Sequence, residues 1–164
     1  MRQKQRSSLV RRLTCETLEP RCLLTVVIGE ISAHSSTQIA EDDGDLSDWI
    51  ELHNSGASEV DLTDWSLSDR ADGLSSWTFP AVVMPASERL IVYASGKDRS
   101  VVDQPLHASF QLSDTGEYLA LSRPDGSKAS EFFPFPNIPA GYTFGVYEEK
   151  TKSSWWRSPQ PRRC

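Results

Sequence analysis

Cysteine is absent from residues 26–147; the three cysteines, Cys15, Cys22 and Cys164, all fall in the terminal stretches. That distribution excludes a disulfide scaffold, and the lack of any Cys-x-x-Cys pair excludes a zinc finger. Histidine is equally scarce. His34, His53 and His107 are the full set, and none has the closely spaced His partner of a zinc or metallohydrolase site. There is no Gly-x-Ser-x-Gly elbow. A nucleophile would need its base and orienting acid brought in from distant positions, so the chain reads as no enzyme. Long apolar runs are missing too. The longest patch, residues 22–28, is broken by Thr25 and is far too short to span a bilayer. A secretory signal continues from its basic start into an unbroken apolar core of about 7–15 residues. Here Arg2, Lys4, Arg6, Arg11 and Arg12 supply the start, but Glu16, Glu19 and Arg21 interrupt the stretch where the apolar core would lie.

What is present is charge, unevenly spread. Residues 1–25 hold six Lys/Arg against two Glu, a balance of +4. Residues 26–147 hold six against nineteen acids, −13, and residues 148–164 return to +3 with five against two. An acidic body between basic tails is repelled by phosphate backbones over most of its surface, which argues against a nucleic-acid partner for the body. Short basic tails are usually solvated or processed. At 164 residues the chain suits one domain with extensions and can bury a core.

No eleven-residue window carries a 3.6-residue period; the body alternates in short bursts between turn residues. Residues 26–33 predict a first strand. Ile50 and Leu52 share one face of a second, with Glu51 and His53 on the other. Val60 and Leu62 alternate with Asp61 and Thr63, and Trp65-Ser66-Leu67-Ser68 continues the pattern. Trp77 and Phe79 end at Pro80, which places that strand at an edge or ends it. Arg89-Leu90-Ile91-Val92-Tyr93-Ala94 is apolar on both faces, as in a central strand. Phe110 and Leu112 share a face, residues 118–122 alternate, and Pro124-Asp125-Gly126-Ser127 is a hairpin turn. Phe132, Phe133 and Phe135, separated by prolines, form an apolar edge segment. The expected fold is an all-β antiparallel sandwich of roughly seven to nine strands, with irregular basic N- and C-terminal tails. Its core is Ile50, Leu52, Leu62, Leu67, Leu90, Val92, Leu119 and Leu121.

One stretch could carry chemistry. Between Glu41 and Asp45 no residue is apolar, and Asp42, Asp43, Asp45 and Asp48 supply hard oxygen ligands around the bend at Gly44. Those donors suit calcium, without the spacing of an EF-hand. The plain alternative is a solvated loop that keeps an edge soluble. Trp49, Trp65 and Trp77 could stack on sugars, but large aromatics dominate the burial of small domains, so core or rim packing is the favoured reading. Trp155 and Trp156 support no inference.

Several blocks carry a resemblance. Val27-Ile28-Gly29-Glu30-Ile31 and Asp48-Trp49-Ile50-Glu51-Leu52-His53-Asn54 come first. Next are Val60-Asp61-Leu62-Thr63-Asp64-Trp65-Ser66-Leu67-Ser68-Asp69 and Trp77-Thr78-Phe79-Pro80. Leu106-His107-Ala108-Ser109-Phe110-Gln111-Leu112-Ser113, Gly116-Glu117 and Tyr142-Thr143-Phe144-Gly145 complete the set. In this order they resemble the lamin tail domain, an immunoglobulin-like sandwich of nuclear lamins and of many bacterial exported proteins, over residues 26–147. Leu18-Glu19-Pro20-Arg21-Cys22-Leu23-Leu24 resembles the Leu-Glu-Pro-Arg-x-Leu-Leu element near the start of large planctomycete proteins. That likeness implies a sorting signal at residues 1–25 and an exported, extracellular or cell-surface protein. Residues 148–164 depart from the family pattern and read as a truncated or frameshifted tail.

The resemblance implies a non-catalytic binding or structural module with a protein, cell-surface or glycan partner. Its alternative is an accessory domain, carbohydrate- or calcium-binding, of a larger exported hydrolase. A nuclear-lamin role is disfavoured because no heptad rod precedes the domain.

Overall fold

The computed structural model describes residues 26–33, 39–72, 77–132, 134–145, 148–149 and 152–153. Cys15, Cys22, Cys164, His34, Phe133, Trp155, Trp156 and the sorting-like element at 18–24 lie outside them. The strands are β1 (Val26–Ser32), β2 (Asp48–Asn54), β3 (Val60–Asp61), β4 (Ser66–Ser68), β5 (Trp77–Thr78), β6 (Val83–Met84), β7 (Arg89–Ala94), β8 (Leu106–His107), β9 (Leu119–Ser122), β10 (Lys128–Phe132), β11 (Phe144–Gly145), β12 (Glu148–Glu149) and β13 (Lys152–Ser153). Among the described residues no helix is long and apolar enough to cross a membrane.

Nine strands make the sandwich: one sheet in the order β11-β1-β2-β7-β8, the other β10-β9-β4-β5. Two small ribbons, β3-β6 and β12-β13, complete it. The strand alternation sets which side chains meet. Ile31, Ile50, Val92 and Leu106 are successive cross-strand partners in the first sheet, and cross-strand partners share a face. That row faces Leu67, Leu119 and Leu121 of the second sheet, and all seven are 0–3% exposed. The sheets meet along a seam where the Ile28 N–H donates to Ser130 Oγ at 3.2 Å. There β1 shifts register between Ile28 and Glu30, a bulge that bends the strand.

The expected core is observed, except that Leu90 is only partly buried against it. Three other expectations change. Strand β7 is next to the edge rather than central, and Leu90, Ile91 and Tyr93 are half-buried. Its outer neighbour β8 is two residues long and pairs parallel, the one exception to the antiparallel pattern among the described strands. Phe110 and Leu112 are buried beside a single bridge, Ser95 to Gln111, rather than on a strand. Residues 148–153, read as irregular tail, contain the β12-β13 ribbon. Elements this short leave no alternation for a pattern to register.

Asn54 ends β2 with no exposed surface. Its Nδ2 donates to the carbonyls of Ser58, Met84 and Pro85 at 2.9, 3.1 and 2.9 Å, and its Oδ1 accepts the Gly56 N–H at 3.0 Å. One amide thus fastens the 55–58 turn to the end of β6. Asn54→Leu keeps the branched shape but strands those partners, at a cost of about 3 kcal/mol. Chemical denaturation of the two proteins measures it; equal midpoints would remove Asn54 from this role.

Candidate functional site: an acidic hairpin clamped by Lys97, Arg99 and His107

The acidic stretch folds as a tight hairpin closed by an Ala40–Leu46 bridge. The Glu41 N–H donates to the Asp45 carbonyl at 3.0 Å and the Gly44 N–H to the Glu41 carbonyl at 2.9 Å. Gly44 bends at φ +85°, where a side chain would be strained. Such a turn points several carboxylates at one place and demands positive charge there.

The charge comes from the segment after β7. Lys97 Nζ donates to Glu41 Oε1, Asp43 Oδ2 and Asp45 Oδ2 at 2.8, 2.8 and 2.9 Å. Arg99 reaches Asp43 with Nη1 at 3.1 Å and Nη2 at 2.5 Å, and lies 3.4 Å from Asp42. The Arg99 and Lys97 hydrogen bonds hold the Asp43 carboxyl far below its ordinary 3.8. Hydrogen bonds from Asp43, Glu41 and Asp45 push the Lys97 ammonium well above its ordinary 10.5. The depressed Asp43 contributes stability present above about pH 3.8 and lost as pH falls through its folded value. The raised Lys97 contributes stability present below about pH 10.5 and lost as pH rises through its folded value.

Beneath the hairpin lies a polar row on the outer face of the first sheet. Ser32, Trp49, Tyr93 and His107 are successive cross-strand partners. The His107 ring stacks on Tyr93, centroids 5.3 Å apart, and Tyr93 Oη donates to the Ala40 carbonyl at 3.3 Å. Burial and the Glu41 and Asp42 charges push the Tyr93 phenol up. His107 is wholly buried. Its Nε2 lies 2.9 Å from Asp42 Oδ1, and its Nδ1 lies 3.0 Å from Ser95 Oγ and 2.9 Å from Glu41 Oε2. Glu41 Oε2 is out of line for a hydrogen bond and has no other hydrogen-bond partner.

Two chemistries can be weighed on this geometry. Ser95, His107 and Asp42 connect as hydroxyl, imidazole and carboxylate, the order of a hydrolase relay. A relay imidazole must pass its proton to a leaving group, and the buried His107 presents no surface to one. Glu41, Asp42 and His107 also place ligand atoms within 4.8 Å of one another. The two ring nitrogens, however, face different carboxylates, so one ion could engage only one side of the ring. The geometry is that of a histidine gripped from both edges.

The matching family profile, Lamin Tail Domain, covers residues 24–157. The chain belongs to the lamin tail domain family. No curated protein matches it. This lamin tail domain carries the all-β, immunoglobulin-like sandwich that the resemblance implied, and the match runs through the β12-β13 ribbon.

Of the four aspartates proposed for calcium, the structure gathers Asp42, Asp43 and Asp45 with Glu41 around the clamp. Asp48 lies apart on β2, lining a cleft. Lys97 already stands among three of the carboxylates, in the place an ion would take. Calcium is therefore expected to leave the melting temperature where chelator leaves it; a clear calcium-dependent rise would mean that an ion displaces Lys97. Lys97, Arg99 and the role of His107 escaped the sequence reading because they lie more than 50 residues from their acidic partners. The available signal was the unbalanced run at 41–45, together with Lys97-x-Arg99, a spacing that sends both cations to one side of an extended segment. Trp49, Trp65 and Trp77 are 5, 7 and 3% exposed, so they pack rather than present a face to sugars.

Proposed function

We propose that this lamin tail domain is a non-catalytic binding or attachment module of an exported or cell-surface protein. The observation that carries the reading is the burial of His107. Among the described residues the imidazole placed between a hydroxyl and a carboxylate, His107, is sealed under the hairpin, with Nε2 engaged by Asp42 of the hairpin and Nδ1 by Ser95. Residues suited to catalysis serve instead to stiffen loops at one end of the sandwich, the arrangement of a recognition module. Four of the six exposed large hydrophobics among the described residues sit in those loops: Ile39, Leu46, Val101 and Val102. The acidic balance of the body supports a protein partner over nucleic acid.

Export is supported by the Leu-Glu-Pro-Arg-x-Leu-Leu element at residues 18–24. The test is protease shaving of intact cells that produce the full chain, with immunodetection as the readout. Loss of the protein from intact cells is expected. A chain degraded only after lysis would overturn the surface reading.

A further inference from the structure

An open cleft of about 310 Å³ adjoins the hairpin, lined in part by Leu46, Ser47, Asp48, Gln111, Leu112 and Asp114. It lies between the start of β2 and the segment after β8, at the end of the sandwich that the clamp holds rigid. We propose that this cleft seats an extended, Lys/Arg-bearing segment of a partner protein; the proposal rests on the binding-module reading above.

Three observations converge on that occupant. First, the lining combines aliphatic walls with carboxylates. Leu46 is 49% exposed, Leu112 is 7% exposed, and Asp48 and Asp114 supply the charge. A Lys or Arg side chain matches this, since its stem covers apolar surface while its head meets carboxylates. Second, the surroundings are acidic beyond their own counter-charge. Residues 39–47 and 95–105 carry six Asp/Glu against Lys97 and Arg99, and both cations are committed to the hairpin. Third, Ile39, Val101 and Val102 stand 41, 56 and 46% exposed in the loops that the clamp joins. Ile39, next to the Ala40–Leu46 bridge, is placed to offer an apolar contact to a neighbouring residue of the same segment.

Other ligand classes fit less well. Anionic lipids and nucleic acids meet like charge. Sugar rings ordinarily stack on aromatic faces, and among the described residues lining the cleft none is aromatic.

The test uses the full chain and a fluorescein-labelled peptide of four Leu-Arg repeats, read by anisotropy. In extended form the peptide places every Arg on one side and every Leu on the other. The variant Asp48→Asn with Asp114→Asn removes two charges at the cleft. The variant Glu59→Gln with Asp125→Asn removes two at the opposite end of the sandwich. Thermal melts establish that both stay folded. The expected result is at least a tenfold loss of affinity for the cleft variant and less than a twofold change for the distant one. Equal losses would reduce the binding to diffuse charge attraction and overturn the proposal. So would cleft-dependent binding of a soluble oligosaccharide such as cellohexaose without binding of the peptide. A chain shaved from intact cells that binds no peptide loses this inference and keeps the module reading; a chain that binds the peptide but is protected in intact cells does the reverse.

Discussion

Leu52→Asp is expected to abolish the cooperative unfolding transition. Leu52 has no exposed surface and lies between Ile28 and Leu90 in the first sheet, facing the second. An aspartate there faces a core cluster with no cation to pair with. The side chain must either ionise in an apolar surround or take up a proton unpartnered. Either outcome, added to the lost leucine, costs about 5 kcal/mol or more, comparable to the whole stability of an ordinary domain. Val92→Asp, one strand over and equally buried, should behave alike. Leu52→Ala supplies the graded companion, with a loss of about 3 kcal/mol and the transition retained. Circular dichroism melts decide the matter. A native-like cooperative melt from Leu52→Asp would mean that this face of β2 is not the core.

The second large effect concerns a single hydrogen atom. Gly116 turns the chain at φ +88°, and a Cβ there would be driven into the carbonyl oxygen of Phe135. The close approach has a cause. The turn at 113–117 is tied to the segment at 135–138 by the Phe135 N–H donating to the Glu117 carbonyl at 3.2 Å and the Ile138 N–H to the Asp114 carbonyl at 3.2 Å. Phe135 and Ile138 are each 1% exposed, so neither can withdraw to make room. Gly116→Ala combines left-handed strain with a backbone collision, about 2–4 kcal/mol in all. For a domain of this size that lowers the melting temperature by roughly 10 °C. Gly126 is the control: it has a similar φ of +81° but nothing within 4 Å of an added Cβ. Gly126→Ala should show the strain alone, about 1 kcal/mol. If both variants melt together, the packing of Phe135 against the turn is not what requires glycine.

Comparing sequence with structure separates what is local from what is not. Ile50 and Leu52 declare their face because alternation within one strand depends only on neighbours two residues away. The Asp125-Gly126 turn was legible for the same reason. Burial of Trp49 was also within reach, from its size alone. Legibility ends where the partner is remote. Nothing near His107 announces that Asp42 and Glu41 will grip it, and nothing near Asp43 announces Arg99. The run at 41–45 disclosed a need for positive charge without disclosing that the chain would meet it with its own lysine. Two-residue strands such as β8 were missed for a different reason. Their existence depends on β7 offering an open edge, not on any period of their own.

The path of the backbone sets how the domain presents itself. Val26, the first residue of β1, pairs with Asn54, whereas the hairpin and the cleft adjoin the Asp48 end of β2. β11 runs antiparallel to β1, from Phe144 beside Ile31 to Gly145 beside Glu30, and so heads towards that same Val26 pole. Polypeptide joined before β1 therefore leaves from the pole opposite the cleft, and β11 points the chain the same way. A tether at the flank that precedes β1 would therefore leave the acidic cleft facing outward, away from its point of attachment.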